Sequence, residues 1–219
     1  MFGIWIPEFG IFPHFTRHDK IWLYIRKNMN KNNILDFIAE AGMLKRVKRS
    51  GWWMVGMPYE ESVAEHCFRC AAIGYVLARM EGADPYKVLM MTLFNDIHES
   101  RINDMHKVAH RYLNVREAEK QAFSEQVDAL GEPFRGELSA LREEHDSQDT
   151  KESLVARDAD ILECLIQAKE YSDLGHRNAE KFFKKAPEHL KTKSAKDLWE
   201  ACGDWDSSTW WEKLGTFER

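Results

Sequence analysis

Cysteine is scarce, four in 219 residues (Cys67, Cys70, Cys164 and Cys202). That is too few for a disulfide scaffold at this length, and a reduced, cytoplasmic protein is the simpler reading. No apolar run approaches the ~18 residues that a membrane-spanning helix needs, so no membrane partner is expected. Positive charge is not in surplus: 31 Lys and Arg against 36 Asp and Glu leave a formal charge of -5. A nucleic-acid polymer gripped mainly by charge is therefore not the expected partner. Internal repeats, low-complexity stretches and alternating strand patterns are missing as well. What is present is 44% hydrophobic and 31% charged residues, the balance of a globular chain of one medium domain or two very small ones.

The N-terminal stretch, residues 1–15, is aromatic and carries Pro7 and Pro13 with two glycines, so it is not one helix. It lacks the basic start, apolar core and cleavage site of a signal peptide. The Asn/Lys cluster at 28–33 reads as a linker or helix-start segment, with Met29 as an alternative translation start. Residues 1–33 are thus expected to form an extension or arm. From Ile34 the pattern is helical. Ile34, Leu35, Ile38 and Leu44 suggest an amphipathic helix closed by Gly42. Ser62 with Glu65 forms a capping box opening a helix to about residue 80, and Asp84-Pro85 opens another. Further helices are expected at about 115–130, 134–146 and 151–172, with Gly131-Glu132-Pro133 as a turn. A body over 34–185 and a Trp-rich tail over 186–219 packed on it make an all-α bundle.

Chemistry begins at His66. Val63, His66, Cys70, Ile73 and Leu77 recur at helical spacing, which places the imidazole on a buried face. A lone histidine there is usually a hydrogen-bonded core residue. The apolar helix through Met90, Met91, Leu93 and Phe94, however, turns abruptly to Asn95, Asp96, His98 and Glu99. Asp104 follows, and Asp158 and Asp160 lie among Ile161, Leu162 and Leu165. Buried carboxylates need a compensating cation, so imidazole and carboxylates from three helices are raw material for a divalent-metal site in a bundle. Other features have plainer meanings. Arg46, Lys48 and Arg49 read as a solvated basic loop. His106 and His110, four apart, read as a solvated face or a chelating pair, and His98 shares no face with Asp96. Cys67-x-x-Cys70 inside a helix reads as small packing residues. Trp199, Trp205, Trp210 and Trp211 suit closure of the bundle or cover of a dimer surface.

Leu44 to Trp52, Glu61-Ser62-Val63-Ala64-Glu65-His66, Asn95-Asp96-x-x-Glu99, Asp104 and Asp160-x-x-Glu163 with Gln167-Ala168-x-Glu170-Tyr171 together carry a family resemblance. In this order and spacing the chain resembles the HD-domain phosphohydrolases, nearest the YfbR-type 5′-deoxynucleotidases and their archaeal and eukaryotic relatives. The resemblance implies a helical bundle holding one divalent transition metal (Mn, Co, Fe, Ni or similar) at His66, Asn95, Asp96 and Asp160. It implies Glu99 and Asp96 as catalytic groups and Arg49 on the phosphate. Asp96 and Asp104 would position the nucleotide, and Trp52 would flank sugar or base. The implied substrate is a deoxynucleoside 5′-monophosphate or similar small phosphate ester, and the implied assembly a homodimer. The chain departs from the family at Asn95, where the name-giving histidine is an amide, a weaker ligand than imidazole. Impaired turnover is expected from that change. Two other readings stand beside it: a nucleotide-binding protein without turnover, natural or altered to trap substrate, and a zinc or redox module at Cys67 and Cys70.

Overall fold

Helix starts in this chain are set by side-chain oxygens that take up otherwise free backbone N–H groups. The computed structural model describes residues 29–215; expectations for residues 1–28 lie outside the described residues. Asn30 accepts from the amide of Asn32 and opens α1 (Lys31–Met43), three residues ahead of the expected boundary. A short α2 (Ser50–Met54) follows. Ser62 and Glu65 close the expected capping box on α3 (Val63–Glu81), and Asp84 caps α4 (Pro85–Phe94). After a turn come α5 (Glu99–Ile102), α6 (Val115–Leu130) and α7 (Phe134–Ser147). Thr150 caps the long α8 (Lys151–Asp173), and Thr192 caps α9 (Lys193–Ala201). Among the described residues there is no strand, only an isolated bridge between Lys48 and Ser62.

The main core lies where α3, α4 and α8 meet, with Leu77, Val88, Met91, Val155, Leu162 and Leu165 withdrawn from solvent. Each such aliphatic side chain stabilises the fold by about 1.5–3 kcal/mol relative to exposure. Gly74 sets the approach of α3 to α4: a Cβ there would lie 3.0 Å from Val88 Cγ1 and 3.2 Å from Thr92 Cγ2. A second cluster joins Leu44, Val47, Val63, Cys67, Ile97, Phe123 and Val127. Helix α1 meets it through Phe37 and Ala41, while Leu35 and Ile38 face solvent. The buried stripe of α1 is therefore displaced by one position from the expected one, because Phe37 finds the Phe94 ring at 6.3 Å. Gly42 also differs from expectation: the helix runs through it to Met43 and Leu44 caps the end.

The tail is tied down by a carboxylate. Asp158 is fully buried and accepts from the amides of Lys191 (2.9 Å) and Thr192 (2.6 Å) and from Thr192 Oγ1 (2.7 Å). Those donors offset its desolvation, so Asp158 is a tail anchor and not part of the metal-binding material. Trp199 packs tilted against Phe183 with ring centroids 5.2 Å apart and helps to close the bundle; Trp210 and Trp211 remain exposed.

A third cluster surrounds Trp52, only 2% exposed, with Met57, Ala168 and Ala179. Tyr171 and Phe182 cover its ring at 5.1 and 4.7 Å, and Nε1 donates to Glu61 Oε1 at 2.7 Å. The expectation that Trp52 flanks a sugar or base is thus corrected: the indole has no face left to offer. Burial, and then the nearby Glu163, push the Glu61 carboxyl up to about 7.

Two stability predictions follow from this packing. Gly42→Ala, with no atom near the added carbon, should raise stability by about 0.5–1 kcal/mol. Gly74→Val should lower it by about 1–3 kcal/mol, since Val88 and Thr92 are both buried and cannot give way; urea unfolding of both variants checks the pair. Glu61 predicts a pH dependence. Its folded pKa of about 7 lies above the ordinary 4.5, so the folded state binds more protons across that window and loses stability as pH rises through it. Glu61→Gln should remove roughly 1–3 kcal/mol of that decline, read as a flatter melting temperature between pH 5 and 8.

Candidate metal centre

Residues three apart on a helix share a face, and two such pairs meet here. His66 and Arg69 on α3 oppose Asp160 and Glu163 on α8. His66 is 1% exposed; its Nδ1 lies 2.5 Å from Glu163 Oε2, and Glu163 Oε1 accepts from Arg69 Nε at 2.9 Å. Arg69 also reaches Glu170 at 2.7 Å and the side chain of Gln167. With Nδ1 committed to Glu163, the Nε2 atom of His66 faces Asp160 Oδ1 at 3.0 Å and Asp96 Oδ2 at 3.5 Å. Asp96 stands in the turn after α4. Helices α3 and α8 and this turn thus deliver the expected His66, Asp96 and Asp160 to one point.

Asn95 joins them. Its Nδ2 donates to Asp96 Oδ1 at 2.7 Å, and it borders the same cavity as His66, Asp96 and Asp160, with Cys70, Thr92, Ala156 and His145 completing the wall. The cavity has room for about one water or ion. All four expected ligands therefore surround one cavity.

The electrostatics ask for a cation. Burial and Arg49 pull the His66 pKa down, yet Cys70 and Asp160 outweigh them and hold the imidazole well above its ordinary value. Burial pushes Asp160 up, but the His66 hydrogen bond and charge outweigh it and keep the carboxyl below its usual range. A proton on Nε2 thus does for Asp96 and Asp160 what a divalent ion shared by the three would do. The donor set fits such an ion: two carboxylates, an imidazole fixed by an outer carboxylate, and an amide. Cys70 Sγ is 3.4 Å from His66 Nε2, but burial pushes its thiol up to about 12, so it packs as a neutral thiol.

Glu99 opens α5 and is 8% exposed, with Oε2 buried and unpartnered. Burial, then Asp96 and Asp104, raise its pKa well above the carboxylate range. That environment favours the protonated form of its carboxyl. Arg49 departs from the solvated loop expected of it. The Lys48–Ser62 bridge and the Arg49 N–H to Glu61 C=O bond (3.0 Å) pin the segment, and Asp104 Oδ2 accepts from the Ser50 amide at 2.8 Å. Arg49 Nη1 lies 3.7 Å from that oxygen, its side chain 19% exposed. Burial opposes its charge, but Asp104, Asp160, Asp96 and Glu99 together favour it. Arg46 and Lys48 alone of that basic group stay exposed.

The remaining histidines are engaged elsewhere. His98 is buried with Nδ1 3.4 Å from Arg142 Nη1. His106 Nδ1 accepts from the Ala109 amide at 3.1 Å, while His110 Nε2 pairs with Met105 C=O at 3.0 Å, so the two do not chelate. Cys67 Sγ lies 3.9 Å from Asp96 Oδ2 and Cys70 groups with His66 and Glu163, but burial pushes both thiols up, away from the thiolate that a zinc or redox module uses. Sequence reasoning missed Arg69 and His145. Arg69 is three residues from His66, as Glu163 is from Asp160, and that spacing was the available signal. His145 follows Leu138 and Leu141 at seven and four residues, the continuation of an apolar stripe, but Glu143, Glu144 and Asp146 around it disguise it as surface.

Residues 41–201 match the HD domain family. The chain is 31% identical over 156 residues to 5′-deoxynucleotidase HDDC2 of Dictyostelium discoideum, covering 67% of this chain and 81% of that relative. It is 29% identical over 150 residues to human 5′-deoxynucleotidase HDDC2, covering 66% and 71%. Among solved structures, a conserved hypothetical protein from Pyrococcus furiosus superposes with TM-score 0.67 at 33% identity, covering 78% of this chain and 99% of that one. The matched span contains His66, Asn95, Asp96, Glu99 and Asp160, the residues that surround the cavity or face it: this chain belongs to the HD domain family.

Proposed function

We propose that this chain is a metal-dependent 5′-deoxynucleotidase, releasing phosphate from deoxynucleoside 5′-monophosphates. The observation that carries the reading is the meeting of His66 Nε2 with Asp96 and Asp160 at 3.5 and 3.0 Å, with Arg49 in the field of both carboxylates and Glu99 in that of Asp96. The substrate class is supported by the relatives named 5′-deoxynucleotidase. His66, Asp96 and Asp160, with Asn95, would hold one divalent ion of the Mn, Fe, Co, Ni or Zn type, which supplies Lewis-acid polarisation of a phosphoryl oxygen. Arg49, surrounded by carboxylates in the free protein, turns its guanidinium to the phosphate and takes up charge in the transition state. Glu99 gives its proton to the leaving 5′-oxygen and regains one from the attacking water. Asp104 keeps the Arg49–Ser50 segment in place. Asn95 is a poorer ligand than imidazole, so the expected impairment depends on whether another donor makes up the loss. Binding without turnover is the second reading, favoured by Asn95 alone. Four free cysteines are in keeping with a reducing, cytoplasmic setting, and no described helix is long and apolar enough to cross a membrane.

The test is phosphate release from deoxy- and ribonucleoside 5′-monophosphates with each metal. Asp96→Ala should abolish metal retention and lower turnover at least tenfold, whereas Glu99→Gln should retain metal and lose kcat. Turnover that survives in Asp96→Ala refutes the assignment; nucleotide binding without release selects the second reading.

A homodimer belongs to the same proposal. Phe68, Tyr75 and Val76 are exposed on α3, with Phe68 at 74%, an apolar patch suited to a second copy. Sedimentation should show a dimer, and Val76→Glu should yield a folded monomer. A monomeric parent protein refutes it.

A further inference from the structure

We propose that His145, on the last turn of α7, supplies the metal site with the imidazole that Asn95 lacks. The inference rests on the reading that this cavity holds a divalent ion. It adds a ligand from a helix that contributes nothing else to the donor set.

Three observations converge on it. His145 borders the same cavity as His66, Asn95, Asp96 and Asp160. Asn95 and His145 also both border a neighbouring cavity lined by Met91, Phe94 and Phe123, so the two side chains sit together at the partition between them. Second, the Nδ1 atom of His145 is buried without a hydrogen-bond partner; the carboxylate of Asp146 is 3.7 Å away, beyond hydrogen-bond reach. A buried imidazole nitrogen left unpaired is costly, and the ring that carries it borders the cavity lined by Asp96 and Asp160. Third, the ring is held there by the rest of its helix. Leu138 and Leu141 pack into the core, and Arg142 Nη1 donates to the Asn95 carbonyl at 2.8 Å, tying the His145 turn of α7 to the turn that carries Asn95 and Asp96.

With His145 the donors become His66, His145, Asp96 and Asp160, two imidazoles and two carboxylates. That is the composition a site with histidine at position 95 would have, reached from the opposite wall. Imidazole favours Mn, Fe, Co, Ni and Zn over Mg and Ca, so the substitution at 95 changes where the nitrogen comes from and not the class of ion.

The experiment uses the full chain, Co(II) and Zn(II) alone, and no nucleotide. Co(II) affinity is read by titration of the visible d–d absorption, and retained metal by elemental analysis after gel filtration. The parent should keep about one ion. His145→Gln should weaken affinity by at least the roughly tenfold that loss of even an outer partner costs. Asn95→His in the His145→Gln background should restore it, which a merely structural role for His145 would not allow. Histidine-selective NMR of the unaltered chain needs no variant: Zn(II) should shift the ring nitrogens of both His66 and His145. If His145→Gln binds Co(II) as the parent does while Asp96→Ala does not, or if Zn(II) shifts His66 alone, the assignment to His145 is overturned and the metal site stands. If the parent retains no ion, both the site and this inference fall.

Discussion

The structure depends on placing a fully buried carboxylate, Glu163, against a buried imidazole, His66, where α3 and α8 cross. Removing a carboxylate from water costs several kcal/mol unless its lone pairs are taken up. Glu163 manages this with one oxygen on His66 Nδ1 and the other on Arg69, both from α3. The register of two long helices is thereby fixed by polar contacts that tolerate no slip. Once it is fixed, the three-residue spacing that separates Asp160 from Glu163 brings Asp160 to the other nitrogen of the same ring. An imidazole held by an outer carboxylate has its tautomer and its free lone pair assigned, so the scaffold and the centre are set by one contact.

The surroundings carry more negative charge than the protein's own cations can match. Glu61, Asp96, Glu99, Asp104, Asp160 and Glu163 gather around Arg49, Arg69 and His66. Burial, and then this crowd of negative charge, push the carboxyls of Glu61 and Glu99 upward, while Cys70 and Asp160 hold His66 above its ordinary value. Such a pocket is poised for exchange. A divalent ion held by His66, Asp96 and Asp160 would neutralise carboxylates that also surround Arg49, leaving its guanidinium freer to take a phosphate. The same imbalance that costs stability would favour a cation and a phosphate bound together.

Most of the helical frame was legible because its signals are local. Ser62 with Glu65, Asp84 with Pro85 and the Gly131 break act within four residues, and they stand where the pattern put them. The stripe of α1 was misplaced by one residue because choosing between Phe37 and Ile38 requires knowing where Phe94 lies. The residues that border the cavity were legible through their ordered motifs. The solvation of Arg49, the sugar-flanking role of Trp52 and the metal-site reading of Asp158 were misjudged for a different reason: each is decided by a long-range partner, Asp104, Glu61 and the Lys191–Thr192 backbone respectively, and no spacing in the chain announces those pairings.

His145 marks the boundary of what motifs carry. A motif fixes ligands that share one helix or turn, as Asn95 and Asp96 do, because covalent geometry then keeps them together. A metal imposes no such condition; it requires only that donors of the right chemistry converge on one cavity with their outer atoms held. In a bundle several helices face any interior point, so a donor lost from one wall can be supplied from another without moving the backbone. Here α7 is already bound to the Asn95 turn through Arg142, and its next inward-facing position is occupied by an imidazole. Under the proposed assignment the site needs two imidazoles and two carboxylates around the cavity, and a contiguous His-Asp pair would be one way of meeting that need.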